Sequence, residues 1–340
     1  MIGKRFILAR NALGLTQEQA AKLSGIPSGT ISHIELGSRT PSDKQIESFS
    51  SATLFPVDFF VDEELPAINS GSFRKLSRLP AKTRNMLIAQ ITQVALIVER
   101  AQGVIRFPDL VPLVNSDDDI GVSDYVITRM AHDVRRSCGL GGSDPVGNAI
   151  RLCERKGCIV VRLPINDPNL DGYSTTSTHK PIIALLQDKP GDRDRASVIH
   201  ELAHCLLNHN TRYISDKDAE KEAWALASEI LFPSNVAKKR MSSGITLNSL
   251  IPIKAEYGVS IAFLVERAYS LEIINEKRYI SLRKQLMVRK WNKQEPVFVG
   301  LEKPSLLPKI IKGIIGDTSI AEGATILSVH PQLLASISSA

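Results

Sequence analysis

Cysteine is scarce in this chain, with four residues among 340. So few cysteines in so long a chain exclude a small disulfide-stapled fold, because such folds depend on many paired cysteines. We therefore predict that the thiols are reduced and mostly buried. They are Cys138, Cys153, Cys158 and Cys205.

Long apolar runs are also missing. The chain has no uninterrupted apolar stretch of the roughly 18 residues that a membrane-spanning helix needs. Lys4, Arg5 and Arg10 interrupt the N-terminal region where a signal peptide would need an apolar segment. We expect a cytoplasmic protein with no membrane partner.

The remaining composition is typical of a globular protein. Hydrophobic residues make up 43% and charged residues 23% of the chain, and its length fits two or three domains. The formal net charge of +6 permits an anionic partner such as DNA but does not require one.

The N-terminal residues predict two short helices separated by a glycine turn. Thr16 and Gln19 have the spacing of a capping box, which opens a helix over Gln17–Ser24 that Gly25 ends. A second short helix begins near Ser28. This pattern is typical of a helix-turn-helix.

The segment LTQEQAAKLSGIPSGTISHIELGSRTPS resembles the lambda-repressor/Cro (XRE) family of DNA-binding domains, and the resemblance covers nearly all of residues 1–62. It implies a five-helix domain that binds double-stranded DNA with Ser28–Leu36 as its recognition helix. It places the following residues at base-reading or backbone-contact positions: Gln17, Ser28, Gly29, Thr30, Ser32 and His33.

The same resemblance gives Arg10 and Glu35 a structural role, as a pair that links the first helix to the third. Gly29 has no side chain to read a base, and Pro27 replaces the usual cap. A helix-turn-helix kept for protein contacts is therefore the alternative. Residues 1–44 carry six basic and three acidic side chains, which suits phosphate contact.

The strongest chemical signal is the segment VIHELAHCLLNH, in which His200, Glu201 and His204 form an H-E-x-x-H pattern. Positions i and i+4 share one face of a helix, so both imidazoles can reach one zinc ion. The intervening glutamate is the general base in this kind of site. The alternative is a core helix with two hydrogen-bonded histidines.

A third ligand is best sought in DAEKEAWALASEILFP. Glu220, Ala223 and Ala227 share one face of a predicted helix, and the small alanines permit close packing on the H-E-x-x-H helix. Glu222 points to the other side and is the alternative ligand. Tyr173 and Tyr213 are candidates to stabilise the oxyanion of a cleavage reaction.

Residues from about 128 to 235 resemble the ImmA/IrrE (M78-type) metallopeptidase family. The resemblance rests on GNAIRLCERKGCIVVRLP, the strand PIIALL, HELAH, and EKEAWALASEILFP. Trp224 and Leu226 replace an asparagine and a phenylalanine that are usual in that family. The resemblance implies a zinc endopeptidase, with manganese as an alternative metal.

These patterns predict an α+β fold that is mainly helical. The expected order is a helix-turn-helix domain over 1–62, then a linker and long helix over 63–123. A zincin-like domain with a small sheet follows over 124–240, and a helical C-terminal region over 241–340. We expect the long helix to run from Phe73 to Gln102, and another to run from Pro145 to Lys156 with Asp144 as its cap.

The predicted function is a DNA-binding zinc endopeptidase that cleaves a regulatory protein of the repressor or antitoxin type. Two alternatives remain: a transcriptional regulator whose zincin-like half senses a ligand or metal, and a module that binds a toxin–antitoxin or phage partner without cleaving it. A homodimer formed through the long helix is a further hypothesis.

Overall fold

The computed structural model describes residues 2–61, 64–69, 76, 79–106, 108–115, 121–165, 167, 170, 172–177, 180–186, 189–291 and 293–338. Helices predominate and a small sheet lies in the middle of the chain, which confirms the predicted fold class. Among the described residues, no helix is both long and apolar enough to cross a membrane.

Five helices form the N-terminal module, as the XRE resemblance implied. They are α1 (Ile2–Ala12), α2 (Gln17–Ser24), α3 (Ser28–Glu35), α4 (Asp43–Thr53) and α5 (Val57–Val61). The predicted capping box is present, with Gln19 N donating to Thr16 Oγ1 over 3.1 Å and Thr16 N donating to Gln19 Oε1 over 2.9 Å. Gly25 ends α2 with a φ of 70°, a conformation that favours glycine.

The Arg10–Glu35 pair links α1 to α3. Arg10 Nε donates to Glu35 Oε1 over 2.7 Å, and Arg10 Nη2 donates to Glu35 Oε2 over 2.9 Å. This bidentate geometry confirms the structural role predicted for the pair. Phe6, Phe49 and Phe60 pack ring against ring beneath it.

The long helix α6 spans Ala81–Gln102, so it begins later than predicted. Pro80 occupies its N-cap position, where the proline ring disfavours helical backbone in the preceding residue. Phe73, the predicted start, lies outside the described residues. Apolar side chains of α6 between Leu87 and Ala101 are buried, and α6 packs against both α1 and β4. The helix therefore connects the N-terminal module to the sheet.

A four-stranded sheet, with the strand order β1-β3-β4-β2, lies between the two halves of the core. The strands are β1 (Ile68–Asn69), β2 (Ile159–Leu163), β3 (Gly172–Ser177) and β4 (Pro181–Leu186). The central strand β4 pairs parallel with β2 and antiparallel with β3. All six of its residues are buried, as expected for an apolar run covered on both faces. Gly172 begins β3.

The two faces of the sheet belong to different cores. Val161 and Ala184 face a cluster that also contains residues of α1, α6 and the C-terminal helices. Val160 and Ile183 face a second cluster, in which α9 (Gly191–Leu206) is packed. The candidate metal-binding helix therefore lies on the sheet face opposite to α6.

Two short helices precede α9 on its side of the sheet. They are α7 (Asp124–Ser137) and α8 (Ala149–Arg155). The prediction for α8 was wrong at its start, because the Asn148 side chain accepts from Arg151 N over 2.7 Å and so caps the helix. Asp144 accepts from Gly141 N instead, in the preceding turn.

The C-terminal third is helical, as predicted. Its helices are α10 (Asp216–Leu231), α11 (Ser234–Arg240), α12 (Ile251–Tyr257), α13 (Ile261–Ser270), α14 (Glu276–Val288), α15 (Leu306–Ile315), α16 (Ile320–Leu327) and α17 (Pro331–Ser338). Helices α15 to α17 add their apolar side chains to the cluster that contains α6. The last helices are therefore core elements that cover one face of the sheet.

We predict that Gly3→Ala destabilises the N-terminal module. A Cβ at position 3 would lie 2.3 Å from the Ile34 carbonyl oxygen and 2.9 Å from that of Glu35, so α1 and α3 would have to separate. The free energy of unfolding should fall by about 1–3 kcal/mol, which thermal denaturation followed by circular dichroism measures.

Gly29→Ala is the matched control for this substitution. Nothing lies within 4 Å of a Cβ at position 29, so the change should leave stability equal or raise it by up to about 1 kcal/mol. An unchanged melting temperature for Gly3→Ala would show that α1 and α3 do not approach as closely as described.

Candidate metal centre

Helix α9 holds three chemically important side chains in a buried position. His200, Glu201 and His204 are 5%, 4% and 3% exposed. The helix packs against β3 and β4 on one side and against α10 on the other. Such burial of three polar side chains requires partners for each of them, because desolvation without compensation is costly.

Helix α10 brings Glu220 to the two histidines. Ser215 caps this helix by accepting from Asp218 N over 3.2 Å. Ala223 and Ala227 are fully buried, consistent with the close helix contact that their small side chains predicted. Glu220 keeps 38% of its side chain exposed, so the group opens to solvent on its side.

The atoms of His200, His204 and Glu220 that could coordinate a metal lie close together. His200 Nε2 lies 3.1 Å from His204 Nε2 and 3.2 Å from Glu220 Oε2, and His204 Nε2 lies 3.4 Å from Glu220 Oε1. Ligand atoms around a tetrahedral zinc ion are about 3.3–3.6 Å apart, given ligand distances of about 2.0–2.2 Å. One of the three separations lies in this range and the other two are slightly shorter, so the two imidazoles and one carboxylate are close enough together to hold a divalent metal ion.

Glu201 lies beside this group and faces the sheet. Its Oε2 accepts a hydrogen bond from Ser174 Oγ over 2.5 Å. Ser174 is a buried residue of β3, and Gly172 on the same strand lies against the Glu201 side chain. The strand therefore orients the carboxylate. Sequence reasoning missed Ser174, because nothing in a lone serine of a strand indicates which helix it faces.

Glu222, the alternative third ligand, faces away from the three donor atoms. Its Oε1 accepts from Val122 N over 2.7 Å, and its Oε2 accepts from Arg212 Nη1 over 2.9 Å. Burial acts to raise the pKa of Glu222, but these hydrogen bonds and one from His209 outweigh it and hold the pKa below its usual value. The structure brings Glu220 to the histidines and places Glu222 in a separate ion pair.

His209 lies beyond the end of α9. Asn208 adopts a left-handed conformation with a φ of 55°, which turns the chain back toward the helix. His209 Nδ1 then lies 2.9 Å from His204 Nδ1. Burial, reinforced by the neighbouring His204, lowers the pKa of His209 to about 4. Sequence reasoning gave His209 no role, since helical periodicity does not describe a residue after the turn.

Trp224 covers the other imidazole. Its ring stacks on that of His200, with the ring centroids 4.2 Å apart and the planes 29° from parallel. The side chain remains partly open to solvent, since the residue is 43% exposed. The departure from the ImmA/IrrE pattern at this position therefore adds an aromatic wall beside the candidate ligands.

The tyrosines predicted as oxyanion stabilisers do not face the group. Tyr173 is buried in the cluster on the opposite face of the sheet, because side chains alternate along β3 and Ser174 takes the face toward α9. Burial also raises the pKa of the Tyr173 hydroxyl. Tyr213 is 90% exposed in the segment between α9 and α10. Tyr173 is corrected to a core residue, and the structure assigns no contact with the group to Tyr213.

The predicted DNA-contact residues of α3 are all exposed or half-buried. Ser28, Gly29 and His33 are exposed on α3, and Thr30 and Ser32 are half-buried there. His33 Nδ1 lies 3.1 Å from Ser38 Oγ.

Gln17 also donates to Glu35 Oε2 over 2.7 Å, which ties it to the Arg10–Glu35 pair. Arg5 is buried and donates to the Phe59 carbonyl, so neither Arg5 nor Arg10 belongs to the exposed charge of the module.

Comparison with known protein families gives two matches. An IrrE N-terminal-like domain of the peptidase M78 family matches residues 153–269, and a helix-turn-helix family matches residues 7–60. A search of curated proteins finds no match. The two family matches confirm both resemblances noted in the sequence and their order along the chain. The first match includes the H-E-x-x-H segment and Glu220 and extends beyond residue 240, where we predicted the domain to end.

We predict that Trp224 reports metal binding. The chain has two tryptophans, so Trp291→Phe leaves Trp224 as the sole indole emitter. Cobalt(II) titrated into this variant should quench its fluorescence saturably, because the indole stacks on a candidate ligand. Adding His204→Ala should abolish the saturable phase.

Trp224→Phe, which leaves Trp291 alone, is the matched control and should show a smaller response. Equal quenching in both single-tryptophan proteins would contradict the placement of the metal beside His200.

Proposed function

We propose that this chain, an XRE-type helix-turn-helix domain fused to an ImmA/IrrE-like peptidase M78 domain, is a zinc-dependent endopeptidase that acts in transcriptional regulation. The observation that carries the proposal is the convergence of His200, His204 and Glu220, with Glu201 buried beside them. Manganese is the alternative metal, and a metal titration distinguishes the two.

The chemistry assigns a separate task to each side chain. His200, His204 and Glu220 hold the ion, which when bound supplies Lewis-acid activation of a peptide carbonyl and of water. Glu201 takes the proton of the attacking water and passes it to the leaving amine. Ser174 holds one oxygen of Glu201 in place, so the base does not need to reorient during the proton transfers.

The edge of β3 offers a place for an extended peptide. Residues 172–174 of β3 pair with β4 on one side, and on the other side no strand among the described residues is paired with them. The described part of β1 pairs with Thr176 and Ser177. A substrate added as a further strand would lie beside Ser174, whose side chain bonds to Glu201.

The helix-turn-helix favours a regulatory target over general protein degradation. Within residues 1–44, which include α3, four exposed cations lie against two exposed carboxylates after the buried or paired charges are set aside, and α4 and α5 add the exposed Glu47 and Asp58. The four cations are Lys4, Lys22, Arg39 and Lys44, and the two carboxylates are Glu18 and Asp43. The module would bind double-stranded DNA in the cytoplasm and bring the peptidase to a repressor or antitoxin-type protein bound nearby.

Glu201→Gln should abolish proteolysis without abolishing metal binding. Loss of the general base should lower the rate of cleavage by about 10²–10⁴-fold, because the amide cannot accept the proton of water. The measurement uses a host strain from which the gene for this protein has been deleted. Wild type or the variant is expressed in it, and the new protein N-termini that each produces are labelled and compared.

The control for this experiment is Glu256→Gln, which changes an exposed glutamate that pairs with Arg240. It should behave as wild type. A stable partner that co-purifies uncut with zinc-loaded wild type, with no new N-terminus, would favour the binding-only alternative.

We predict that His33→Ala weakens binding to a DNA duplex selected by the wild-type protein from a random-sequence pool. Loss of one base contact should cost about 1–3 kcal/mol, measured by fluorescence anisotropy. His132→Ala, which changes an exposed histidine on α7, is the control and should leave the affinity unchanged.

Equal loss of affinity for selected and unrelated duplexes would assign His33 to phosphate contact. No loss on either duplex would remove it from the DNA interface.

A further inference from the structure

A continuous chain of hydrogen bonds leads from His204 away from the candidate metal. His204 Nδ1 lies 2.9 Å from His209 Nδ1, and His209 Nε2 lies 3.1 Å from Glu222 Oε2. Arg212 and the backbone N–H of Val122 anchor the far end by donating to the Glu222 carboxylate. These contacts join the end of α9, the following loop and α10.

The positions of the ring protons give each hydrogen bond of this path a donor and an acceptor, and all of them point from His204 toward Glu222. A histidine ligand presents a lone pair to the metal, so if His204 Nε2 is the ligand atom, the proton of that ring is on Nδ1. His204 Nδ1–H then donates to His209 Nδ1, which must carry a lone pair. The proton of neutral His209 is consequently on Nε2, where it donates to the acceptor-only carboxylate of Glu222. Every ring nitrogen along the path has a compatible partner.

The side chains of this hydrogen-bond path are shielded from solvent, and its negative charge is paired with a positive one. The side chains of His209 and Glu222 are 3% and 6% exposed, and that of Arg212 is buried. Arg212 compensates the carboxylate, since an isolated charge would be costly at this depth. The ion pair with Arg212 keeps the Glu222 carboxylate ionised, and this carboxylate is the last acceptor of the path. His209 lies between Glu222 and His204 as a neutral imidazole.

We propose that His209 is a positioning residue for the metal centre. It fixes the Nδ1–H tautomer and the ring orientation of His204, and it transmits the negative charge of Glu222 to that ligand. This inference rests on the proposed function, because it assumes that His204 holds the metal. When a metal-binding histidine donates a hydrogen bond of this kind, its metal-binding nitrogen becomes more basic and its ring is held in one orientation.

The test compares zinc affinity in full-length wild type, His209→Phe and His209→Gln by competition with a chromophoric chelator. Phenylalanine fills the space but cannot accept the His204 proton, so affinity should fall by about 10–100-fold. Glutamine can accept from His204 through its carbonyl oxygen and donate to Glu222 through its amide, so it should recover most of the affinity. His132→Phe on the exposed face of α7 is the matched control.

A second readout separates positioning from general stability. The visible absorption of the cobalt(II)-loaded protein reports ligand geometry, and it should change in His209→Phe and return toward the wild-type spectrum in His209→Gln. If His209→Phe does not fold, Glu222→Gln applies the same test from the far end of the chain. That variant should also bind zinc more weakly, because the anionic acceptor is lost.

The outcomes for this inference and for the proposed function are distinct. If folded His209→Phe or Glu222→Gln binds zinc within twofold of wild type with an unchanged cobalt spectrum, the positioning role is overturned and the peptidase proposal stands. If wild type itself binds no zinc, the peptidase proposal fails. If wild type binds zinc but cleaves nothing, the zinc affinities of the variants still decide the role of His209.

Discussion

The close approach of α10 to α9 is the contact on which the candidate centre depends. Glu220 comes from one helix and the two imidazoles from the other, yet their donor atoms lie within 3.4 Å. Ala223 and Ala227 make this possible, because larger side chains at a buried helix contact would increase the separation of the axes. The sheet on the opposite side of α9 then limits how far the helix can move.

The same packing divides the side chains of one helix among different tasks. His200 and His204 face Glu220, whereas Glu201 faces β3 and bonds to Ser174. Around this group, Trp224 covers His200 and His209 contacts His204. A metal held here, as proposed, would have its ligands positioned by neighbours that do not contact the ion, as is usual for protein metal sites.

The N-terminal module and the sheet of the peptidase-like half share one buried apolar cluster. Helix α6 packs against α1 and against β4, and helices α15 to α17 complete the same buried cluster. Phe55 of the N-terminal module even contacts His330, with their ring centroids 5.2 Å apart. Residues 1–62 expressed alone would expose apolar surface that the whole chain buries.

Local patterns in the sequence predicted most of the features of the helices. Contacts between residues farther apart in the sequence could not be predicted from these patterns. The histidine spacing, the Thr16 capping box and the alanines beside Glu220 were readable because helical periodicity determines which residues share a face. The left-handed turn at Asn208 was not readable, so the role of His209 was missed. The strand β3 was also missed, because STTS carries little of the apolar alternation that marks a strand.

The most direct test of the account is a crystal structure of the zinc-loaded protein, with an anomalous difference map recorded at the zinc absorption edge. The account predicts one strong peak about 2.0–2.2 Å from His200 Nε2, His204 Nε2 and a carboxylate oxygen of Glu220. A peak bound by Glu222 or by the cysteines, or the absence of any peak at the two histidines, would contradict it.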